Sequence, residues 1–501
     1  IQPRILLPEM SKEQGSPQAK KTGISKTLWA AIIVIVIVVI GGGGYYYYQQ
    51  TTSKPTSKTV VFYSWWATTG KVGLDKGIIP AFEKAYPGYT IQQTLVPGAA
   101  GTSAEYAVMT LIESGHPPTS FQAHFGPVML SYVEIAPNGS KTFVNATPVL
   151  QQMGLLNPAN AFQVVMQAGA FNGTMFSFPA TVHRNCLLFF NPQTLAKYNL
   201  PIPTTVGQLL YDTKVLYQHG IYFAIPGGDG GWDQMNLWEA LLLSYGGPKL
   251  IDEFDYGVLN TNNPAVVNAT NTFLELLQYN YPGAASMSWT ELYPLMFKGQ
   301  LSFEVNGEWF AEYAYDFLNV TTYPATQPYI SNSSIISMDE PFPGTSHYYS
   351  ILEDSIAVPT GPQEKLGLMF VKFWDSYQGQ QVFTHWKSVT FYANGTDWYT
   401  TPSHWFDYEQ LKSLANNESA FCYPPSDGGM FNDAFATALT AFTTLSETGS
   451  TSAFYPLLNE ALSQERADWL TANSLHMGFM GFPGHPFGGY YPPWVSNSSG
   501  A

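Results

Sequence analysis

Residues 28–40, LWAAIIVIVIVVI, carry no charge, and with 41–48 (GGGGYYYY) they reach the roughly 20 residues a membrane-spanning helix requires. Lys20, Lys21 and Lys26 precede this stretch and no cluster of Lys or Arg follows it. That asymmetry orients the N-terminal side to the cytoplasm and everything after Tyr48 to the outside. The tyrosines at 45–48 suit a membrane interface, where an aromatic ring is half wet. A cleaved secretory signal is the second reading, with Gly41 to Gly44 as the small residues at the cut.

A third reading comes from a resemblance. The sequence KKTG at 20–23 followed by ISKT at 24–27 resembles the leader junction of pilin-like (class III) signal peptides. In that class the cut falls ahead of the apolar stretch, here after Gly23. The helix then stays on the mature chain as an anchor or as a packing element of an assembly.

Composition agrees with an exported chain. Net charge is −15, and only 11% of residues are charged against a usual quarter. Such a chain is a poor partner for nucleic acid, whose phosphates demand Lys and Arg. Nine Asn-x-Ser/Thr sequons, at Asn138, Asn145, Asn172, Asn268, Asn319, Asn332, Asn394, Asn417 and Asn497, read as glycan acceptors on an outward-facing chain. A surface of neutral polar groups and glycans changes little when pH falls, so an acidic exterior is the expected habitat. Cys186 and Cys422 make no disulfide framework, though one bridge between them stays open.

The expected organisation is a leader (1–23), an anchor helix (24–48), a polar linker (49–58) and an ectodomain. More than 400 residues exceed what one core holds, which calls for two lobes. Short β-rich runs at 59–66, 89–96, 119–123, 175–179, 186–190, 222–225, 302–305 and 355–358 read as strands. Helical spacing recurs at 77–86, 104–114, 206–219, 236–245, 265–278, 289–298, 307–317, 365–377, 379–386, 429–445 and 454–472. The alternation predicts the α/β class with parallel sheet. Residues 476–501 are rich in Gly, Pro and aromatics, without periodicity.

Ligands of open α/β sheets bind beyond the carboxyl ends of the strands. Just past, or at the head of, the predicted strands stand Trp65, Trp66, Gln122, His124, His183, Trp232, Glu308 and Asp354, with Lys387 after a helix. Aromatic faces take up sugar C–H surfaces, and mixed carboxylate, amide, imidazole and ammonium groups satisfy hydroxyls that both donate and accept. The set therefore suits a neutral polyhydroxylated ligand. Trp238 and Trp309 read as core, and Glu308 can also serve the dipole of the helix it begins. An anionic Glu308 or Asp354 in acid needs a depressed pKa, for which Lys387 is the expected cause.

Seven short motifs recur in order: SWW at 64–66, FQAHFG at 121–126, P-x-x-VHRN at 179–185, LWEA at 237–240, SW at 288–289, KG-x-x-x-F-x-V-x-GEW at 298–309 and DS-x-x-x-P at 354–359. Together they resemble the family 1 extracellular solute-binding proteins of ABC transporters. The subgroup most like them is the anchored glucose-, galactose- and mannose-binding proteins of thermoacidophilic archaea. The resemblance implies a two-lobe periplasmic-binding-protein fold (type II-like), with an interlobe cleft behind the N-terminal transmembrane helix. It places lobe 1 at 59–181 with 303–358, lobe 2 at 182–302 with 359–475, and hinge crossings near 181–184, 302–306 and 356–361. It implies sugar contacts at Trp65 or Trp66, Gln122, His124, Glu308 and Lys387, and also at Asp354, Trp289 and Trp232. Three departures bear on the sugar: residues 67–70 (ATTG) lack an acidic group, Glu308 stands where the subgroup has Asp, and 421–424 lacks a His.

The implied function is a receptor, not an enzyme and without cofactor or metal. It captures a monosaccharide and hands it to a membrane permease driven by a separate ATPase. No GxxxxGK[ST] phosphate loop is present. Oligosaccharide binding, a pilin-like or surface-layer adhesion role with self-assembly through the helix, and glycoside hydrolysis by Glu308 and Asp354 are the competing readings.

Overall fold

The computed structural model describes residues 58–98, 101–325, 336–395 and 398–495. The leader, the apolar stretch at 28–40, the linker up to residue 57, Asn332 and Asn497 lie outside them. Among the described residues no helix is long and apolar enough to cross a membrane.

In chain order, the strands of the three main sheets are β1 (Thr59–Ser64), β2 (Thr90–Leu95), β3 (Ser120–His124), β4 (Phe178–Pro179), β5 (His183–Asn185), β6 (Leu187–Phe190), β7 (Tyr222–Ala224), β8 (Leu301–Asn306), β9 (Thr321–Pro324), β10 (Ile336–Pro341), β11 (Tyr349–Leu352), β12 (Asp354–Ala357) and β13 (Phe421–Cys422). The first sheet has the order β2-β1-β3-β12-β4 and the second β9-β10-β6-β8-β7. The expected parallel arrangement holds except for one strand in each. β12 runs antiparallel to β3 and β4, and β6 runs antiparallel to β8 and β10. Both reversed strands arrive from the other sheet rather than through a helical crossover, so nothing forces them parallel.

Two large cores flank these sheets. Val60, Phe62, Phe121, Ile356, Phe370 and Trp374 belong to the first. Leu188, Phe190, Phe223, Phe303, Trp238 and Phe442 belong to the second. Alternate residues of β6, Leu187 and Phe189, face a smaller third core with Tyr293 and Phe310, so the second sheet is covered on both sides. Trp238 is fully buried, with its indole N–H donated to Thr270, as the sequence predicts for a core residue.

The partition of the chain needs correction. β8, β9 and β10 pair in the second sheet, and the helices Glu364–Trp374 and Tyr377–Thr384 pack on the first core. Residues 303–341 therefore belong with the second lobe and 364–384 with the first, opposite to the expected boundaries. The crossings move as well. Residues 302–306 lie within β8, and 356–361 stays in the first lobe, where Val144 N–H is donated to the Val358 carbonyl. The three connecting strands are β5, β11 and β13, which hydrogen-bond to each other as a small sheet of their own. Only the crossing near 181–184 coincides with one of them. Periodicity could not show this, because strand pairing is non-local.

In that small sheet Ser350 of β11 sits opposite Asn185 on one side and Cys422 on the other. Strands lie about 4.8 Å apart, so β11 separates Cys186 from Cys422 by nearly two strand spacings. Disulfides need Cα atoms within about 7 Å, and both cysteines are free, buried thiols. The aromatic tail packs through its described part: Met477, Phe479, Met480 and Phe487 join the first core, and Trp494 donates to the Gly478 carbonyl.

Candidate functional site

A cavity of about 420 Å³ opens where the carboxyl ends of the parallel strands of both sheets converge. Trp65 and Trp66 follow β1, His124 ends β3 and Asp354 begins the reversed β12. From the other sheet, Asp229 and Trp232 follow β7, Trp309 follows β8, and Trp289 starts a helix under a capping box of Ser288 and Glu291. His183 on β5 forms part of the wall between the two sides.

Eight of the ten sequence-predicted residues line this cavity: Trp65, Trp66, His124, His183, Trp232, Trp289, Asp354 and Lys387. Gln122 and Glu308, for which the resemblance implied direct contacts, are not among its lining residues. Gln122 is 1% exposed, and its Oε1 accepts from the Trp65 backbone N–H at 3.2 Å. Glu308 is fully buried; its carboxylate accepts from His183 Nδ1 and, at 3.0 Å, from the Arg184 N–H. Both act on the wall from behind. The lining also includes Trp309, which had read as core, and Asp229, Thr290 and Asp427. Asp229 and Asp427 lie in Gly-rich turns, GGDGG and SDGG, whose position past a strand or ahead of a helix was the available signal. Residues 67–70, where the acidic group is missing, line the cavity too.

Aromatic rings form both walls. Trp65 lies against His124 at 4.9 Å between ring centroids. Trp66 stacks on Trp374 of the first core at 5.7 Å and 20°, so one adjacent Trp is anchored while the other stays half-exposed. Opposite, Trp232 stacks on Trp309 at 5.8 Å and 28°, and Trp289 on Phe310 at 4.9 Å. Aromatic pairs of this kind add about 0.5–1.5 kcal/mol each beyond buried area.

The polar groups are held as firmly. Asp354 Oδ2 accepts from Trp66 Nε1 at 3.1 Å and faces His183 Nε2 at 3.2 Å. Its Oδ1 is buried and has no hydrogen-bond partner. Asp427 accepts from Trp232 Nε1 at 3.0 Å and from Asn185 Nδ2 at 2.6 Å. Gly428 next to it has a φ of +101°, and a Cβ there would lie 2.3 Å from His124 Cβ. Glu105 holds His124 Nδ1 at 3.0 Å.

Burial and charge set the ionisation. Burial pushes His183 down, but the Glu308 charge and the hydrogen bonds to Asp354 and Glu308 raise it to about 9. Burial pushes Asp354 up, yet the His183 hydrogen bond and charge bring it below the usual carboxylate range. The depression expected for Asp354 is present, with His183 rather than Lys387 as its leading cause. Burial moves Asp427 up to about 6 despite the opposing His124 charge.

This geometry does not suit glycoside hydrolysis. Such chemistry needs two carboxyls facing one bond, whereas Glu308 lies behind the wall and shares the His183 ring with Asp354. Glu308, Glu312 and His404 offer donor atoms within 4.8 Å of one another. The Lys387 ammonium, 3.0 Å from Glu312, already supplies the positive charge there, and we assign no metal.

Known proteins share this fold. Residues 65–380 match the family described as bacterial extracellular solute-binding protein. The chain is 50% identical over 444 residues to the glucose-binding protein GlcS of Saccharolobus solfataricus, covering 87% of this chain and 79% of that protein. Among solved structures, it is similar to a chitin oligosaccharide binding protein (TM-score 0.65, 15% identity, 82% of this chain and 99% of that one). It is also similar to the bacterial solute receptor AcbH, described with an exclusive preference for β-D-galactopyranose (TM-score 0.64, 12% identity, 82% and 99%). At those identities the likeness shows the fold. The chain belongs to the bacterial extracellular solute-binding protein family, whose members bind solutes rather than transform them.

Proposed function

We propose that the chain is the substrate-binding subunit of an ABC transporter, and that it captures a monosaccharide, glucose first, between its two lobes. The observation that carries this is a cavity with indole faces on both walls and Asp354, His124 and Lys387 among its polar lining. A pyranose presents C–H faces to such rings and hydroxyls to such groups. Ligand then favours the closed form, because only there do both walls touch it. The 50% identity to a glucose-binding protein supports glucose as the first sugar to test.

In this reading the ectodomain is outside the cell, held by the helix at 28–40, and delivers sugar to a permease with a separate ATPase. Self-assembly through that helix is compatible with it. Asn138, Asn145, Asn268, Asn319, Asn394 and Asn417 are exposed and accessible to glycosylation, whereas Asn172 is half-buried with its Oδ1 accepting from Phe479 N–H.

Calorimetric titration tests the proposal. Glucose is expected to give saturable one-to-one heat and arabinose much less. Heat with maltose but not glucose would reassign the chain to longer sugars. Silence with all three would refute the sugar-receptor reading.

A further inference from the structure

Lys387 is the one lysine among the described residues that line the cavity. It is 4% exposed, and its ammonium lies 6.0 Å from the Trp309 ring centroid. A buried ammonium needs an anion, and a four-carbon stem needs something to fix its direction. Glu312, 2% exposed and outside the cavity lining, supplies both. Its Oε2 is 3.0 Å from Lys387 Nζ, and its Oε1 is 3.2 Å from His404 Nε2 and accepts from the Ser388 N–H. The carboxylate therefore grips both the side chain of Lys387 and the backbone just after it.

The two partners come from different parts of the fold. Glu312 is on the helix Trp309–Leu318, which begins just after β8 of the second sheet. Lys387 follows the helix Tyr377–Thr384, whose Phe383 is in the first core. Burial pushes the Glu312 carboxyl up, but the Lys387 charge and the His404 hydrogen bond pull it down to about 2, so it stays anionic in acid.

We propose that Glu312 is a positioning residue for ligand capture, which holds the Lys387 ammonium at the cavity face from behind and does not touch the ligand itself. This rests on the sugar-receptor reading above. If it is right, Glu312 acts only through Lys387, and the two residues are energetically one unit.

A double-mutant cycle on the full chain, read by glucose calorimetry, tests this. Glu312→Gln and Lys387→Met are each expected to weaken glucose binding at least tenfold. The double variant should bind no more weakly than Lys387→Met alone, and Glu312→Asp should recover part of the loss. A purely structural role would give additive losses instead. If Glu312→Gln fails to fold because two buried cations lose their anion, Lys387→Met and the double variant still decide the matter. Equal affinity of those two supports the proposal, and a further tenfold loss in the double overturns it. Wild-type affinity in Glu312→Gln overturns the positioning role alone. A wild-type chain silent with every sugar overturns the receptor reading and this proposal with it.

Discussion

The folded chain is expected to be more stable at pH 3.5 than at pH 7.5, the reverse of most proteins. Glu304, Glu353, Asp255 and Asp375 are no more than 1% exposed, and neither carboxyl oxygen of any of them has a hydrogen-bond partner. Burial drives all four well above the ordinary carboxyl range, with added repulsion from Asp229 on Glu304, from Asp354 on Glu353 and from Asp252 on Asp255. A neutral acid is tolerable in such a place, whereas an unpaired carboxylate is not. A group raised on folding holds its proton longer in the folded state, so its contribution is fully present below the unfolded value near 4 and is lost as pH rises toward the folded one. His183, raised to about 9, adds stability in the same direction, lost as pH climbs through 9. Asp354 and Glu312 are lowered, Glu312 to about 2, so what they contribute is fully present above the ordinary carboxyl range and is lost progressively as pH falls through that range toward the depressed values. The maximum therefore lies in acid. Asp427 alone, raised to about 6, corresponds to at most about 3 kcal/mol at roughly 1.4 kcal/mol per pH unit. Differential scanning calorimetry at the two pH values decides it; a melting temperature equal or higher at pH 7.5 would contradict the argument.

Glu308→Ala is expected to cost about 3–5 kcal/mol of stability as well as glucose affinity, because it strips a buried cation of one of its two anions. His183 would keep only Asp354, and the Arg184 N–H would lose its acceptor. Glu308→Gln keeps one acceptor and should cost about 1–3 kcal/mol. Denaturant midpoints and sugar titrations on both variants separate this from a direct contact. Were Glu308 a sugar ligand, affinity would drop while the midpoint stayed near that of the wild type.

Most of the local structure was legible because it is written locally. The run TVVFYS became β1, and the period at 206–219 became the helix Val206–Tyr217. Strands β9, β10 and β11 were not legible: TTYP and ISMDEP carry little apolar signal, and YSIL is only 4 residues long. Without β9 and β10 the second sheet lost one side, and residues 303–341 fell to the wrong lobe. At the site, aromatics past strands were found because their position is a sequence property. The distinction between lining and supporting residues was not. Glu308 and Glu312 are one helical turn apart, yet what each does depends on His183 and Lys387, far away in the chain. Trp309 misled for a related reason, since it is half-buried against the cores while one face stacks on Trp232 in the cavity.

Capture between two lobes is tested most directly by titrating glucose into Trp65→Ala and Trp232→Ala, which remove one ring from each wall. The account predicts one site per chain and at least a tenfold loss of affinity from either substitution. Unchanged affinity in one of the two would mean that the ligand sits on a single lobe and would contradict it.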